Sequence, residues 1–162
     1  MIAVRLVRLI ERHSDDLTDG LLQKFQTSPH TTDLRKVPAH ELRNRSNEII
    51  RNLSDWLLSK SDAEVARRYR EIGALRASQD VSLAHVCWGI MLTKEHIWDF
   101  LQREGFLRGP REIYGEMELL RLLDQFFDRA ICYCAEGCEK ARLEGVPARD
   151  PSGRSVPAAS VS

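Results

Sequence analysis

The run Leu119-Leu-Arg-Leu-Leu-Asp124-Gln-Phe-Phe-Asp128-Arg-Ala130-Ile-Cys-Tyr-Cys134 decides the fold. Its apolar residues recur every three or four positions, the spacing that puts side chains on one face of an α-helix. One row passes through Ile113, Met117, Leu120, Leu123, Phe127, Ala130 and Cys134, and a second through Leu119, Leu122, Phe126 and Tyr133. Two rows cover more arc than an isolated helix can leave in water, so this helix needs partners within the chain or outside it. From Arg111 to about Leu143 it would run roughly 45–50 Å at 1.5 Å per residue.

Working outward, prolines stand at 29, 38, 110, 147, 151 and 157, leaving 39–109 and 111–146 open to uninterrupted helices. Residues 83–101 carry Leu83, Val86, Cys87, Ile90, Met91, Ile97, Trp98 and Leu101, a width of apolar surface that must be packed on several sides. Asp80 or Ser82 can cap that helix, and Gly105 to Pro110 ends it. Ser61-Asp-Ala-Glu64 has capping-box spacing and starts a helix with Val65, Tyr69, Ile72 and Leu75 inward. Pro38 suits the first turn of a helix to about Lys60 carrying Leu42, Ile49, Leu53, Trp56 and Leu57. Residues 2–26 form one amphipathic stripe weakened by Gly20, and Thr27–Val37 has loop chemistry. The expected fold is all-α: a compact bundle of about five helices with a long C-terminal helix. Residues 1–144 form the helical domain and 145–162, poor in apolar surface, a disordered tail.

Composition narrows the function. The 162 residues hold 24 Lys and Arg against 24 Asp and Glu. Neither the whole chain nor any third of it carries the excess of basic charge that binding phosphates requires, so nucleic acid is not an expected partner. Arg5 and Arg8 interrupt the apolar N-terminus and leave no signal-peptide core, and no stretch reaches the roughly 20 apolar residues of a membrane span. Cys87, Cys132, Cys134 and Cys138 do not resemble a secreted disulfide framework. The expected location is the cytoplasm, with reduced thiols.

No motif specifies a reaction, and the expectation is a protein that is not an enzyme, with no catalytic residue, metal ligand or cofactor assigned. Of the clustered cysteines only Cys134 and Cys138 share a helix face, too few ligands for a closed zinc site. His85 and His96 stand about 16 Å apart along their helix, too far to hold one ion, and each is expected to make a core hydrogen bond. His85-Val-Cys-Trp-Gly89 has the His-to-Gly spacing of histidine phosphotransfer domains without their lysine. Arg67, Arg68, Arg70 and Arg76, interleaved with Glu64 and Glu71, read as a solvated face.

Two candidate sites remain. Ala39-His40-Glu41-Leu42-Arg43-Asn44 resembles the phosphoacceptor box of histidine kinases, with His40 the acceptor and the following acid orienting it, although Arg45 and Ser46 depart from that box. Trp88, Met91 and Trp98 are candidates to line a pocket for a small molecule or haem.

Three pieces in order, a helix with Leu53 and Leu57, the segment Arg70-Glu-Ile-Gly73-Ala-Leu-Arg76-Ala-Ser-Gln-Asp-Val81-Ser-Leu83 with Lys94-Glu-His-Ile-Trp98 beyond it, and the run from Leu119 into Tyr133, are similar to the helical N-terminal domain of RsbT co-antagonist (RsbR-type) proteins. The similarity covers roughly residues 5–143. It implies a non-catalytic sensory or regulatory module of stress signalling, placed before an anti-sigma-antagonist or histidine-kinase output. With only the tail following here, the expected partner is a second copy in a homodimer or another signalling protein acting in trans.

Overall fold

The computed structural model describes residues 2–104 and 110–145, and all its regular elements there are helices. They are α1 (Ile2–Arg12), α2 (Ser14–Thr27), a 3-10 helix (Pro29–Lys36), α3 (Ala39–Arg51), a π-turn (Asp55–Ser59), α4 (Asp62–Ser78), α5 (Leu83–Arg103) and α6 (Pro110–Gly145). The all-α bundle with a long final helix is therefore what the chain forms. Apart from Gly145, the expected tail lies outside the described residues.

α6 is the axis, roughly 54 Å long at 1.5 Å per residue, with α1, α4 and α5 packed along it. Leu119, Leu123, Phe126, Phe127, Ala130, Cys134 and Cys138 are its buried residues in the core. The longest seam is with α4, and glycines make it close. A Cβ on Gly73 would collide with the carbonyl of Cys134, and one on Gly137 with the carbonyl of Arg70. Each helix thus places its missing side chain against the other's backbone.

Four local expectations need correction. The stripe over 2–26 is two helices, broken at His13 (φ −100°, ψ 19°), where the ring Nδ1 sits 2.9 Å from the Leu9 carbonyl and the ring tilts against Phe100 at 5.2 Å. The helix expected through Lys60 loses α-register after Arg51 and finishes in the π-turn. This widening seats Trp56, whose Nε1 donates to the Glu48 carbonyl at 3.1 Å. Thr27–Val37 is largely a 3-10 helix, kinked at Thr31, whose buried hydroxyl donates to the Phe25 carbonyl at 2.8 Å. On α4 the inward residue is Arg76, at 4% exposure, while Leu75 is exposed. Tyr69, Gly73 and Arg76 follow one helical column, and the column set by Gly73 decides the face.

The capping box at Ser61 forms in full, with Glu64 N–H donating to Ser61 Oγ at 3.2 Å and Ser61 N–H to Glu64 Oε2 at 2.8 Å. Ser82 occupies the cap of α5 without using its side chain. Asp33 of the 3-10 helix substitutes, accepting the Ser82 N–H at 2.9 Å, and that bond holds its carboxyl below the ordinary aspartate range. α4 ends with Asp80 in the left-handed region (φ 58°) and Val81 N–H returning to the Arg76 carbonyl at 3.1 Å.

Candidate functional site

Arg76 is turned into the bundle because Glu41 is there to receive it. Arg76 Nη1 donates to Glu41 Oε1 and to Gln79 Oε1, each at 2.7 Å, and Gln79 Nε2 reaches both Glu41 oxygens at 3.1–3.2 Å. Burial pushes the Glu41 carboxyl up, but the hydrogen bond and charge of Arg76 outweigh it and hold the group below the ordinary glutamate range. The pair ties the first turn of α3 to the last turn of α4.

Beside this pair lies a cavity of about 80 Å³. α2, the 3-10 helix, α3, α4, α5 and α6 all contribute to its wall, which is mainly aliphatic and aromatic: Phe25, Leu34, Ile49, Ile72, Ile90 and Phe127 among others. Five polar residues also face it. Thr93 uses its hydroxyl on the Gly89 carbonyl (2.8 Å) and Arg76 is committed to Glu41. Ser46 is buried on the α3 wall. The remaining two, Tyr69 and Arg45, each leave a buried polar atom without a partner, the phenolic oxygen of one and Nε of the other.

Tyr69 is 2% exposed and stands edge-on to Trp56 and Phe126, with ring centroids 5.8 and 5.7 Å away. Burial drives its pKa well above the ordinary phenol value, leaving an O–H donor. Arg45 spends Nη1 on Glu48 Oε2 at 3.1 Å, while Arg68 grips both Glu48 oxygens at 3.0 Å. Two guanidiniums therefore share one carboxylate, whose pKa burial nonetheless raises.

The residues singled out from the sequence lie elsewhere. Trp88, Met91 and Trp98 are half-buried on α5, on the opposite side from the Val86, Gly89, Ile90 and Thr93 face that lines the cavity. Trp88 stacks on His30, centroids 4.0 Å apart and planes within 10°. His40 is exposed in the first turn of α3, and its neighbour Glu41 is engaged with Arg76. His85 Nδ1 accepts from the Asp33 N–H at 3.0 Å, and His96 Nε2 meets the Leu17 carbonyl at 2.8 Å. Cys134 and Cys138 are buried and Cys132 exposed, and burial pushes the Cys134 thiol up to about 12. Among the described residues no three His, Cys, Asp or Glu converge as metal ligands.

Sequence reasoning missed the cavity because its polar markers come from three positions with nothing in common in the chain. Arg45, Tyr69 and Arg76 come to one cavity only in the fold, where the Glu41–Arg76 and Glu48–Arg68 pairs bridge α3 and α4. A buried arginine has a sequence signal only in retrospect, as the Arg that continues the Tyr69–Gly73 column.

The surface offers a second feature. Ile113, Tyr114 and Met117, in the first turns of α6, are 47%, 75% and 61% exposed, and half-buried Leu120 continues the Ile113–Met117 row. The upstream part of the first apolar row thus stays outside the core that its downstream part builds. Among the described residues no helix is long and apolar enough to cross a membrane.

No curated protein and no solved structure matches the chain. Residues 15–150 match the family described as the RsbT co-antagonist protein rsbRD N-terminal domain, the family to which the buried Gly73-x-x-Arg76 element and the Leu119–Tyr133 helix also pointed. With that match running from α2 past the end of α6, the chain belongs to the RsbT co-antagonist rsbRD N-terminal domain family, a signal-transduction regulatory domain.

Proposed function

We propose that this chain is a non-catalytic cytoplasmic module of stress-type signalling that works by protein contact, and that a second copy docks on the first turns of α6. The observation that carries the reading is the exposed row Ile113, Met117 and Leu120 with Tyr114 beside it. A row of large apolar side chains at helical spacing is suited to receive the same row from another helix. The formal net charge of zero supports a self-complementary contact, since two copies approach without long-range repulsion. An output protein would then read the paired modules.

Light scattering over a concentration series tests this. The expected result is a mass that rises towards a dimer and returns to the monomer in Met117→Glu, a change at an exposed position that leaves the fold intact. A monomer throughout the series, with no signalling protein co-purifying, would overturn the proposal.

A further inference from the structure

We propose that the cavity between α3, α4 and α5 is a binding site for a short-chain aliphatic carboxylate, its carboxylate received by the Tyr69 hydroxyl and Arg45 Nε and its tail by the apolar wall. The inference is independent of what docks on α6.

The polar atoms set the chemistry of the head. Tyr69 Oη and Arg45 Nε are both buried, both without a partner, and both belong to residues lining the same cavity. Native interiors leave few donors in that condition, because water lost on burial is not replaced. Both groups donate, so what completes them is an acceptor. Charge selects among acceptors. Arg76 is neutralised by Glu41, whereas Arg45 and Arg68 share Glu48. The other carboxylate on Arg68, Glu71, is 3.4 Å away and 59% exposed, where water screens it. The lining itself carries two guanidiniums, Arg45 and Arg76, and no carboxylate, so an anion is favoured over a carbonyl or an alcohol.

The walls set the body. Leu34, Leu42, Ile49, Ile72, Ile90 and Phe127 offer only dispersion and the expulsion of water. At about 30 Å³ per water the volume is that of two or three waters, to which a mainly apolar wall offers few of the two to four partners each would need. A cavity near 150 Å³ holds benzene, so about 80 Å³ fits a shorter aliphatic chain and no ring.

Butyrate is the probe, with n-butylamine as its charge-reversed match, titrated into the full chain and followed by amide shifts of Gly89 and Ile90. The expected result is saturable shifts with butyrate and none with butylamine. Tyr69→Phe keeps the ring among Trp56 and Phe126 and should weaken butyrate about tenfold, the worth of a charge-assisted hydrogen bond. That variant should unfold at the same temperature as the wild type or higher, because an orphan hydroxyl has been removed. Arg45→Met, with Glu48 still gripped by Arg68, is the second variant and should weaken butyrate at least as much. Absence of saturable shifts in the wild type, undiminished wild-type affinity in both variants, or equal binding of butylamine would each overturn the proposal. A high-resolution structure grown in butyrate that shows only water in the cavity would do the same.

Discussion

Gly73 on α4 and Gly137 on α6 are reciprocal: each sits where a side chain would strike the carbonyl of the opposite helix, at Cys134 and Arg70 respectively. The obstacle in both cases is backbone, which cannot rotate away as a side chain would.

Alanine at either glycine should therefore separate the helices. Overpacking of this kind typically costs 1–3 kcal/mol, and with no flexible atom to yield we expect about 3 kcal/mol or more for Gly73→Ala and for Gly137→Ala. Urea denaturation followed by circular dichroism measures it. The double variant should lose less than the sum, because the seam is already opened by the first change.

Gly20 answers to a side chain instead. A Cβ there would stand 2.9 Å from Cε1 and 3.0 Å from Nε2 of His96. In the wild-type background Gly20→Ala should lose about 1–2 kcal/mol despite the better helix propensity of alanine. In a His96→Ala background the same change should gain about 1 kcal/mol, the propensity term alone. A double-mutant cycle by chemical denaturation reads this reversal of sign.

His96 also predicts a pH dependence. Burial holds its pKa below the ordinary histidine value, with the charge of Lys24 acting the same way. A histidine depressed in the folded state contributes stability above about pH 6.5, and loses it as pH falls through 6.5 towards the folded value. The urea midpoint should decline over that interval in the wild type and stay flatter in His96→Ala.

The Glu41–Arg76 pair acts at lower pH. Glu41 is depressed relative to 4.5, so its contribution is complete above that value and disappears as pH falls below it towards the folded pKa. Glu41→Gln leaves Arg76 buried with an uncompensated charge and should cost about 3 kcal/mol at pH 7. The difference between wild type and variant should close when urea midpoints are compared at progressively lower pH.

Asp80 holds a backbone conformation that glycine adopts more readily. Its φ of 58° at the end of α4 carries a steric penalty for any residue with a Cβ. The side chain is 96% exposed in its contact with Lys36, while the stronger Lys36 bond goes to the Asp80 carbonyl, which glycine retains. Asp80→Gly should raise stability by about 0.5–1 kcal/mol, measured by thermal denaturation.

The elements legible in the sequence were those with a local cause. The capping box at Ser61, the break near Asp80 and the periodicity of α6 depend on neighbours within one turn, and each appears as written in the chain. The break at His13, the π-turn around Trp56 and the inward turn of Arg76 depend on groups 30 or more residues away or on fitting a large ring. Glu41, 35 residues before Arg76, makes that arginine a core residue, and helical periodicity has no term for such a partner. Likewise the candidates Trp88, Met91 and Trp98 all come from one helix. A cavity built from six elements is specified by their intersection.

One consequence follows from the length of α6. Phe127, in the cavity wall, and Ile113, in the exposed row, belong to the same continuous helix, about 21 Å apart along its axis. A rod transmits angle as displacement in proportion to its arm, so a pivot of about 3° at Phe127 sweeps Ile113 sideways by about 1 Å. A displacement of the helix at the cavity wall would thus reach the outer rim by covalent continuity, through the stretch held in the core at Leu119 and Leu123.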